Sequence, residues 1–242
     1  AGTSTVTATV DTQTVSTIIT VTSGPVTPGA ADMVGVFRPS SHTFILKNGS
    51  ATTTINWGKS TDLPVSGDWN GDGMADVGVF RPSTHTFILK NGTVTTNVNW
   101  GKSTDLPVTG DWNGDDMTDV GVFRPSTHTF ILKNGSQTTS VNWGKSTDLP
   151  VTGDWNGDGM ADVGVFRPST HTFILKNGSQ TTSVNWGLKT DKPVTGDWNG
   201  DLLTDVGIFR PSTHTFILKN GTETTSISWG QSSDLPVSGR WS

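Results

Sequence analysis

The sequence repeats itself every 43 residues, and this period constrains the fold more than any other feature. The stretch GDWNGDGMAD at residues 67–76 returns with few changes at 110–119, 153–162 and 196–205. Each copy contains the pattern D-x-N-x-D-x-x-x-D, and the residues between copies repeat in the same phase. Repeats of this length are typical of solenoids and propellers, in which each unit packs only against its neighbours.

One repeat unit contains four candidate strands, and its density of Gly, Pro, Thr and Val excludes helical repeats. The acidic stretch follows the first strand, a Pro82 turn follows the second, and Asn91-Gly92 predicts a hairpin with a type I′ turn between the last two. Four short antiparallel strands per repeat form a propeller blade. In the unit that starts at Pro64, the predicted strands are Pro64–Trp69, Asp76–Arg81, His85–Lys90 and Thr95–Trp100.

The number of blades follows from a Phe-Arg-Pro motif that occurs at Arg38, Arg81, Arg124, Arg167 and Arg210. The chain enters the repeats at a second strand, Val34–Arg38, and leaves them after a lone first strand, Pro236–Trp241. We therefore predict an all-β, five-bladed β-propeller of four-stranded blades, closed by pairing of its N- and C-terminal strands, which removes an exposed sheet edge. Met33 and Arg240 occupy the slots of the last and first loop Asp in the split blade, so a fifth acidic loop is predicted to be lost.

Residues 1–31 have a different composition and are predicted to form an extended, Thr/Val-rich β-strand arm with a Gly/Pro linker, ahead of a propeller over 32–242. Val6, Ala8 and Val10 alternate with Thr, which is the strand period. The phase then changes, so we predict two strand segments with a bulge or break near Asp11–Thr14.

The acidic loops predict calcium sites, because side-chain oxygens at positions 1, 3, 5 and 9 of a tight loop are the ligands that Ca²⁺ prefers. The carbonyl of position 7 would add a backbone ligand. The alternative is a solvated acidic turn, although three carboxylates within nine residues repel one another without a cation. Up to four Ca²⁺ are expected, one per intact loop. The predicted ligands are Asp68, Asn70, Asp72, Met74 and Asp76; Asp111, Asn113, Asp115, Met117 and Asp119; Asp154, Asn156, Asp158, Met160 and Asp162; and Asp197, Asn199, Asp201, Leu203 and Asp205.

Position 6 of each loop distinguishes the four sites, because calcium loops of this general design require a sharp turn there. Gly73 and Gly159 satisfy this requirement, Asp116 tolerates it, and Leu202 makes it costly. We therefore expect calcium occupancy to be lowest at 197–205, and the bulk of Leu202 predicts a different path for that loop.

The loop within a four-stranded repeat resembles the FG-GAP/VCBS class, the calcium-loop propeller repeats of integrin α-chains and of many secreted bacterial proteins. The resemblance covers about residues 32–242 and includes Asp76-Val77-Gly78 at the entry to the second strand. It implies an extracellular or cell-surface location and calcium held for structure. It does not imply one function, since members include adhesion proteins, lectins and domains attached to enzymes.

Three further sets of repeated residues allow a structural and a functional interpretation. Five symmetric histidines at one position of the third strand could ring the axis as a metal or pH site. Hydrogen bonding of each His to a backbone group or a neighbouring blade is the better expectation. For the Arg before each Pro, we likewise expect a role in packing or in a hydrogen bond between blades. The ten Trp could pack between blades or form sugar-stacking platforms. The histidines are His42, His85, His128, His171 and His214.

Five Asn-Gly-Ser/Thr triplets match the N-glycosylation sequon. The hairpin alone already favours Asn-Gly, so the triplets have an explanation without glycans. The candidate Asn residues are Asn48, Asn91, Asn134, Asn177 and Asn220.

The sequence predicts a protein without enzymatic activity, because a site repeated in every blade lacks the unlike, converging groups of an active centre. We expect an extracellular structural or adhesive protein whose arm docks on a neighbouring copy to build a filament or pilus-like assembly. A multivalent carbohydrate-binding lectin and an accessory domain of a secreted enzyme are the alternatives. Lys and Arg form no clustered stripe in the sequence, so nucleic acid is not an expected partner. The acidity is concentrated in the loops, where 12 of the 21 acidic residues lie at positions 1, 5 and 9. No apolar run is long enough to span a bilayer.

Overall fold

The computed structural model describes residues 3–10, 13–20 and 29–241, and these form strands, turns and loops without a helix. The strands make five four-stranded antiparallel sheets and one two-stranded sheet. The protein is thus an all-β, five-bladed propeller, as the repeat count predicts. Accordingly, no helix in the described ranges has the length and apolar character needed to cross a membrane.

Two strands lie in the arm and the others form the ring. The arm contains β1 (Thr3–Val10) and β2 (Gln13–Thr20). The ring contains β3 (Met33–Arg38), β4 (Thr43–Asn48), β5 (Ala51–Asn56), β6 (Leu63–Gly67), β7 (Asp76–Arg81), β8 (Thr86–Asn91), β9 (Val94–Asn99), β10 (Leu106–Gly110), β11 (Asp119–Arg124), β12 (Thr129–Asn134), β13 (Gln137–Asn142), β14 (Leu149–Gly153), β15 (Asp162–Arg167), β16 (Thr172–Asn177), β17 (Gln180–Asn185), β18 (Lys192–Gly196), β19 (Asp205–Arg210), β20 (Thr215–Asn220), β21 (Glu223–Ser228) and β22 (Leu235–Gly239). The predicted strands of the ring are all present, and their ends differ from the prediction by at most two residues.

Blade 1 is assembled from both ends of the ring. Its strand order is β22-β3-β4-β5, and β22 pairs antiparallel with β3, from Leu235 opposite Phe37 to Gly239 opposite Met33. Blades 2 to 5 each use four consecutive strands. The predicted closure of the ring by the C-terminal strand is therefore confirmed.

The core lies between blades rather than within a single layer. In the cluster between blades 2 and 3, Phe80 and Phe87 of blade 2 pack against Val120 and Val122 of blade 3. Phe80 and Phe87 are opposite one another in the sheet, with ring centroids 4.9 Å apart, and neither is exposed to solvent. The same arrangement recurs at each blade junction, so the repeated Phe and Val positions specify ring packing.

A closed circle of hydroxyl groups surrounds the axis of the ring. Each first strand carries one Ser or Thr whose hydroxyl donates to the backbone carbonyl of its counterpart in the neighbouring blade. The bonds run from Thr109 to Ser66 (2.9 Å), Thr152 to Thr109 (2.7 Å), Thr195 to Thr152 (2.8 Å), Ser238 to Thr195 (2.5 Å) and Ser66 to Ser238 (2.7 Å). Two of these bonds involve the C-terminal strand, so β22 takes a full place in the circle.

The hairpins between third and fourth strands are present, but their turn differs from the predicted type I′. Asn91 pairs with Val94, so Gly92 and Thr93 are the two central residues. Gly92 has a φ of 54°, whereas Thr93 is not among the residues with positive φ. A glycine at the first central position is typical of a type II′ turn. The Asn is the last residue of the strand, and the type I′ prediction is wrong.

The arm contains two strands, as predicted, and they pair with each other. β1 and β2 form an antiparallel pair from Thr3 opposite Thr20 to Val10 opposite Gln13. Part of the predicted bulge or break near Asp11–Thr14, and the linker, lie outside the described residues. Among those described, β1 and β2 form a two-stranded sheet of their own.

Candidate calcium loops

Each acidic loop is organised around its first Asp. In the loop between β6 and β7, Asp68 Oδ1 accepts hydrogen bonds from the backbone N–H groups of Asn70 (3.1 Å), Gly71 (2.7 Å) and Asp72 (3.2 Å). Its Oδ2 accepts from the N–H of Gly73 at 2.7 Å. The carboxylate therefore fixes the curvature of the loop, because Asp side chains bond readily to backbone a few residues ahead.

The third and fifth residues continue this pattern of local turns. Asn70 Oδ1 accepts from the N–H of Asp72 at 2.9 Å, and Asp72 Oδ1 accepts from the N–H of Met74 at 2.8 Å. Asn70 Nδ2 also donates to Asp72 Oδ2 at 3.0 Å. Asp68, Asn70 and Asp72 thus lie on one short loop, while Asp76 begins β7.

The four loops follow one path, including the loop that the sequence predicted to differ. Position 6 has positive φ in all of them: 80° at Gly73, 64° at Asp116, 84° at Gly159 and 71° at Leu202. The N–H of Leu202 donates to Asp197 Oδ2 at 2.8 Å, as Gly73 does to Asp68. The prediction of a different path is wrong, because the hydrogen bonds of Asp197 hold Leu202 in a conformation that costs a branched side chain about 1 kcal/mol or more.

In three loops, one carboxylate oxygen of the ninth-position Asp is buried and has no hydrogen-bond partner among the described residues. These atoms are Oδ2 of Asp76, Asp119 and Asp205. In the remaining loop, Asp162 Oδ2 accepts from Asn156 Nδ2 at 3.4 Å. Buried polar atoms nearly always have a partner, and an ion is one of the ordinary explanations for an exception.

The same carboxyls have strongly shifted acidity. The pKa of Asp76 is raised to about 6, first by burial and then by repulsion from Asp72 and Asp68. The pKa values of Asp119, Asp162 and Asp205 are likewise raised to about 6, with burial as the largest cause. Each loop therefore holds negative charges that oppose one another, and a cation among them would relieve this repulsion.

The donor set of each loop fits calcium: carboxylate, amide and carbonyl oxygens with no nitrogen or sulfur ligand. Among the described residues, however, no three His, Asp or Glu side chains converge as a metal-binding cluster. Asp68 Oδ1 already accepts three backbone N–H groups, whereas Oδ2 accepts only that of Gly73 and retains a lone pair for a further partner. The twenty predicted ligands lie on four equivalent loops, and calcium binding by them stays a prediction.

Two loops are also tied to the neighbouring hairpin of their own blade. Asn113 Nδ2 donates to Asn134 Oδ1 at 2.9 Å, and Asn156 Nδ2 donates to Asn177 Oδ1 at 3.0 Å. Both acceptors are candidate sequon residues. In these two blades the Asn side chain therefore orients a predicted calcium ligand, a structural role that sequence reasoning did not find.

The loops also join adjacent blades. The N–H of position 8 donates to the carbonyl of position 1 in the preceding loop, or to the carbonyl of Arg240 at the split blade. These bonds are Thr118 to Asp68 (2.7 Å), Ala161 to Asp111 (2.6 Å), Thr204 to Asp154 (2.8 Å), Asp32 to Asp197 (2.7 Å) and Ala75 to Arg240 (2.8 Å). Loop conformation is therefore coupled to ring closure.

The fourth loop has a distinct neighbour at the seam. Asp32 Oδ2 accepts a hydrogen bond from the N–H of Asp197 at 2.9 Å. In the loops that begin at Asp68 and Asp154, the equivalent N–H donates to the hydroxyl of Thr118 or Thr204. Burial raises the pKa of Asp32, and the hydrogen bond from the backbone of Asp197 offsets part of this rise. The fourth loop thus has a carboxyl of the split blade where the other loops have Thr118, Ala161 or Thr204.

The repeated Arg residues pair with Asp residues that sequence reasoning missed. Arg81 Nε donates to Asp62 Oδ1 at 2.9 Å and its Nη2 to Asp62 Oδ2 at 2.7 Å. Asp62 is buried and also accepts the backbone N–H of Lys59. The signal was present in the sequence, because Asp62, Asp105, Asp148, Asp191 and Asp234 recur at the 43-residue period.

The histidines occupy the turns between second and third strands. His85 has a φ of 54°, and its carbonyl accepts the N–H of Trp100 at 2.8 Å. The other four have φ between 55° and 56°. They were predicted on the third strand but precede it, and within the described chain no metal cluster includes them.

Both sets of Trp residues pack against the interblade core. Trp69 donates its Nε1–H to the carbonyl of Val77 at 3.3 Å and contacts the cluster of blades 2 and 3, as does Trp100. Lys133 lies over the Trp100 ring, 5.6 Å from its centroid. This geometry agrees with the packing interpretation for both sets.

No protein-family model and no curated protein sequence matches this chain. Among solved structures, it is similar to BBS1N from a mercury-soaked complex with ARL6DN, with a TM-score of 0.45 and 8% identity over 79% of this chain and 59% of that one. It is also similar to an Agrocybe aegerita lectin that recognises non-reducing terminal N-acetylglucosamine, with a TM-score of 0.43 and 14% identity over 82% of this chain and 62% of that one. The chain spans about three fifths of the length of these solved chains.

Proposed function

We propose that this protein is a non-enzymatic, calcium-stabilised structural protein of the extracellular space or cell surface, whose N-terminal arm joins one copy to the next. The observation that carries the proposal is the completed ring. Because β22 fills the first position of blade 1, every blade has its four strands without the arm. The arm is therefore free to serve a partner.

The arm is suited to strand addition. β1 and β2 pair along eight residues each, and in the described residues each has a second edge without a strand partner. A two-stranded hairpin alone is at best marginally stable in water, and open edges are templates for pairing with another chain. Docking on a second copy supplies the missing partner, and head-to-tail docking produces an open filament.

Calcium has a structural role in this proposal. At about pH 7 the carboxylates of each loop repel one another. The buried Oδ2 atoms of Asp76, Asp119 and Asp205 also have no hydrogen-bond partner among the described residues. Both observations support the proposal that the loops bind cations. Each loop also bonds to its neighbour through positions 1 and 8. A cation that fixes the loop would thereby strengthen the contacts between blades. The resemblance to FG-GAP/VCBS repeats supports the same role and an extracellular location.

The repetition of the candidate sites supports a role without catalysis. The same loop, with the same hydrogen bonds at its first, third and fifth positions, occurs in four blades. Catalysis depends on unlike groups converging at one place, whereas repeated equivalent sites suit stabilisation.

Deletion of the arm tests the proposal. Removing residues 1–24 should leave a folded, calcium-stabilised ring that no longer assembles, as judged by electron microscopy and sedimentation of the full-length and shortened chains. Assembly that is unchanged without the arm would contradict the proposal. A shortened chain that misfolds would place the arm within the propeller and overturn the boundary at residue 31.

A multivalent lectin is the second candidate, supported by grooves between blades. The groove between blades 1 and 2 has a volume of about 360 Å³ and contains Ile55, Asp76 and Lys90. An equivalent groove of about 400 Å³ between blades 4 and 5 contains Val184, Asp205 and Lys219. Apolar and charged groups together suit a sugar, and binding of the arm-deleted ring to a glycan array distinguishes this candidate from the first.

A further inference from the structure

The fourth strand of every blade is a free sheet edge. β5, β9, β13, β17 and β21 each lie at the end of their sheet opposite the first strand, and in the described residues none has a second strand partner. The first four residues of each are exposed. None of the five contains Pro or Lys, the residues that proteins commonly use to protect such edges. The ring therefore offers five templates for strand addition.

The free edge of β9 can be assigned residue by residue. Asn91 and Val94 flank a two-residue turn and form a hydrogen-bonded pair, so hydrogen-bonded and non-hydrogen-bonded pairs alternate from there. Thr95, Asn97 and Asn99 consequently direct their backbone N–H and C=O groups away from β8. An incoming strand would bond to these three residues.

Blade 2 differs from the other blades at the first residue of its outer strand. Val94 is 63% exposed, and it is the only large apolar residue exposed on any of the five outer strands. The equivalent residues are Ala51, Gln137, Gln180 and Glu223. An amide or a carboxylate there loses hydration when another strand covers it, whereas Val94 gains from burial and has high strand propensity.

We propose that the edge of β9 is the acceptor for the arm of a second copy, which adds a strand to blade 2. This inference rests on the proposed assembly function and names its contact surface. Each chain has one arm and one outer strand that begins with an exposed β-branched apolar residue. One donor and one acceptor per copy produce an unbranched chain, while five equal acceptors would produce branching.

The sequences of the two partners are compatible. Val6, Ala8 and Val10 alternate with Thr in β1, and Val94, Thr96 and Val98 alternate in β9. Cross-strand pairs of β-branched residues and of Thr stabilise antiparallel sheets. Neither β1 nor β9 contains a charged residue, so their pairing brings no like charges together.

Matched substitutions in the full chain test the acceptor. Asn97→Pro removes an edge N–H without removing a bond to β8, and Ser140→Pro does the same at the equivalent position of blade 3. Val94→Glu adds a charge at the proposed contact, and Gln137→Glu adds it at the matched place. We expect the two blade 2 variants to raise the critical concentration for assembly about tenfold or more, since burying an unpaired charge or losing a ladder bond is unfavourable and about 1.4 kcal/mol corresponds to tenfold.

The outcomes separate the two proposals. Both blade 3 variants should assemble like the unmodified chain, and all four should melt within a few degrees of it with calcium present. If the blade 2 variants assemble normally while the arm-deleted chain does not, the β9 acceptor is wrong and the assembly function stands. Equal loss in blades 2 and 3 would also overturn the choice of β9. If the unmodified chain does not assemble, or assembles without its arm, both proposals are wrong.

Discussion

Arg38 and Asp234 are 196 residues apart in the chain, and the guanidinium of Arg38 donates two hydrogen bonds to the carboxylate of Asp234, at 2.9 and 2.8 Å. In the other four blades the same pair is formed by residues 19 apart. One repeated contact thus holds a blade together where the chain is continuous and closes the ring where it is not. Asp234 is fully buried, and hydrogen bonding to it raises the pKa of Arg38.

The first prediction compares the seam with a continuous blade. Arg38→Ala and Arg124→Ala each leave a buried carboxylate unpaired, so each should lower the free energy of unfolding by about 2–5 kcal/mol. In Arg38→Ala alone, β22 should exchange its amide hydrogens faster than β10, because no peptide connection holds the blade closed. Hydrogen exchange with mass spectrometry measures both strands in both variants. Equal protection of β22 in the two proteins would show that the seam does not depend on this pair.

The second prediction concerns calcium. Binding to the folded state adds RT ln(1 + [L]/Kd), or roughly 1–3 kcal/mol per site at ten to a hundred times Kd. Calcium should therefore raise the melting temperature of the calcium-stripped protein, with a stoichiometry of up to four by calorimetry. Asp111→Ala should remove one site without affecting the other three. A melting temperature that is the same with calcium and with EGTA would contradict calcium binding.

The third prediction gives the sign of the pH dependence. In the calcium-free fold, the pKa of Asp76, Asp119, Asp162 and Asp205 is about 6, above the ordinary 3.8. The folded state then binds more protons than the unfolded state between these values. Their contribution to stability is complete below about pH 4 and is lost as the pH rises to 6. Calcium favours the ionised form, so the stabilisation by calcium should increase over the same interval.

Replacing all four of these Asp residues by Asn provides the control for the pH dependence. The variant should be less dependent on pH between 4 and 6 without calcium, and should gain little from calcium at pH 7. Thermal melts of calcium-stripped and calcium-loaded protein across this interval measure both effects. An unchanged pH profile in the variant would assign the dependence to other carboxyls.

The sequence predicted the global fold because its repeat fixes the architecture: Phe80 and Val79 recur in phase, and the incomplete terminal units require the closure seen between β22 and β3. Local backbone conformations were less predictable. Asn91-Gly92 was expected to fill the two central positions of its turn, yet strand register places Asn91 in the ladder. Register depends on which residues face the core across the whole blade, and the dipeptide alone does not encode it.

The candidate sites were also only partly predictable from the sequence. The spacing of Asp68, Asn70, Asp72 and Asp76 identified the loops from sequence. The role of Asn134 as a partner of Asn113, and that of Asp62 as a partner of Arg81, depend on contacts between different elements. Such contacts are visible in sequence only as a shared period, which does not say which repeated residues meet.

The fourth prediction tests Asn134 as a positioning residue. Asn134→Ala removes the acceptor for Asn113 Nδ2, and the orientation of the Asn113 side chain becomes less restricted. Calcium affinity at 111–119 should fall by about tenfold, in the range found when partners of metal ligands are removed. Asn220→Ala is the control, since no such bond joins Asn220 to Asn199 in the described fold. Calorimetry on both variants measures the difference, and equal affinities would assign Asn134 to the hairpin alone.

The last prediction concerns the strain at Leu202. Its φ of 71° is held by the bond from its N–H to Asp197, and its side chain is 54% exposed, so little burial offsets the unfavourable conformation. Leu202→Gly should relieve about 1–2 kcal/mol of strain and lose about 0.5–1 kcal/mol to the greater freedom of Gly in the unfolded chain. The net result is a gain of up to about 1.5 kcal/mol, with or without calcium, measured by denaturant unfolding. Asp116→Gly is the matched variant and should gain less, because Asp adopts positive φ at lower cost. A loss of stability in Leu202→Gly would mean that the packing of the Leu202 side chain outweighs the backbone strain.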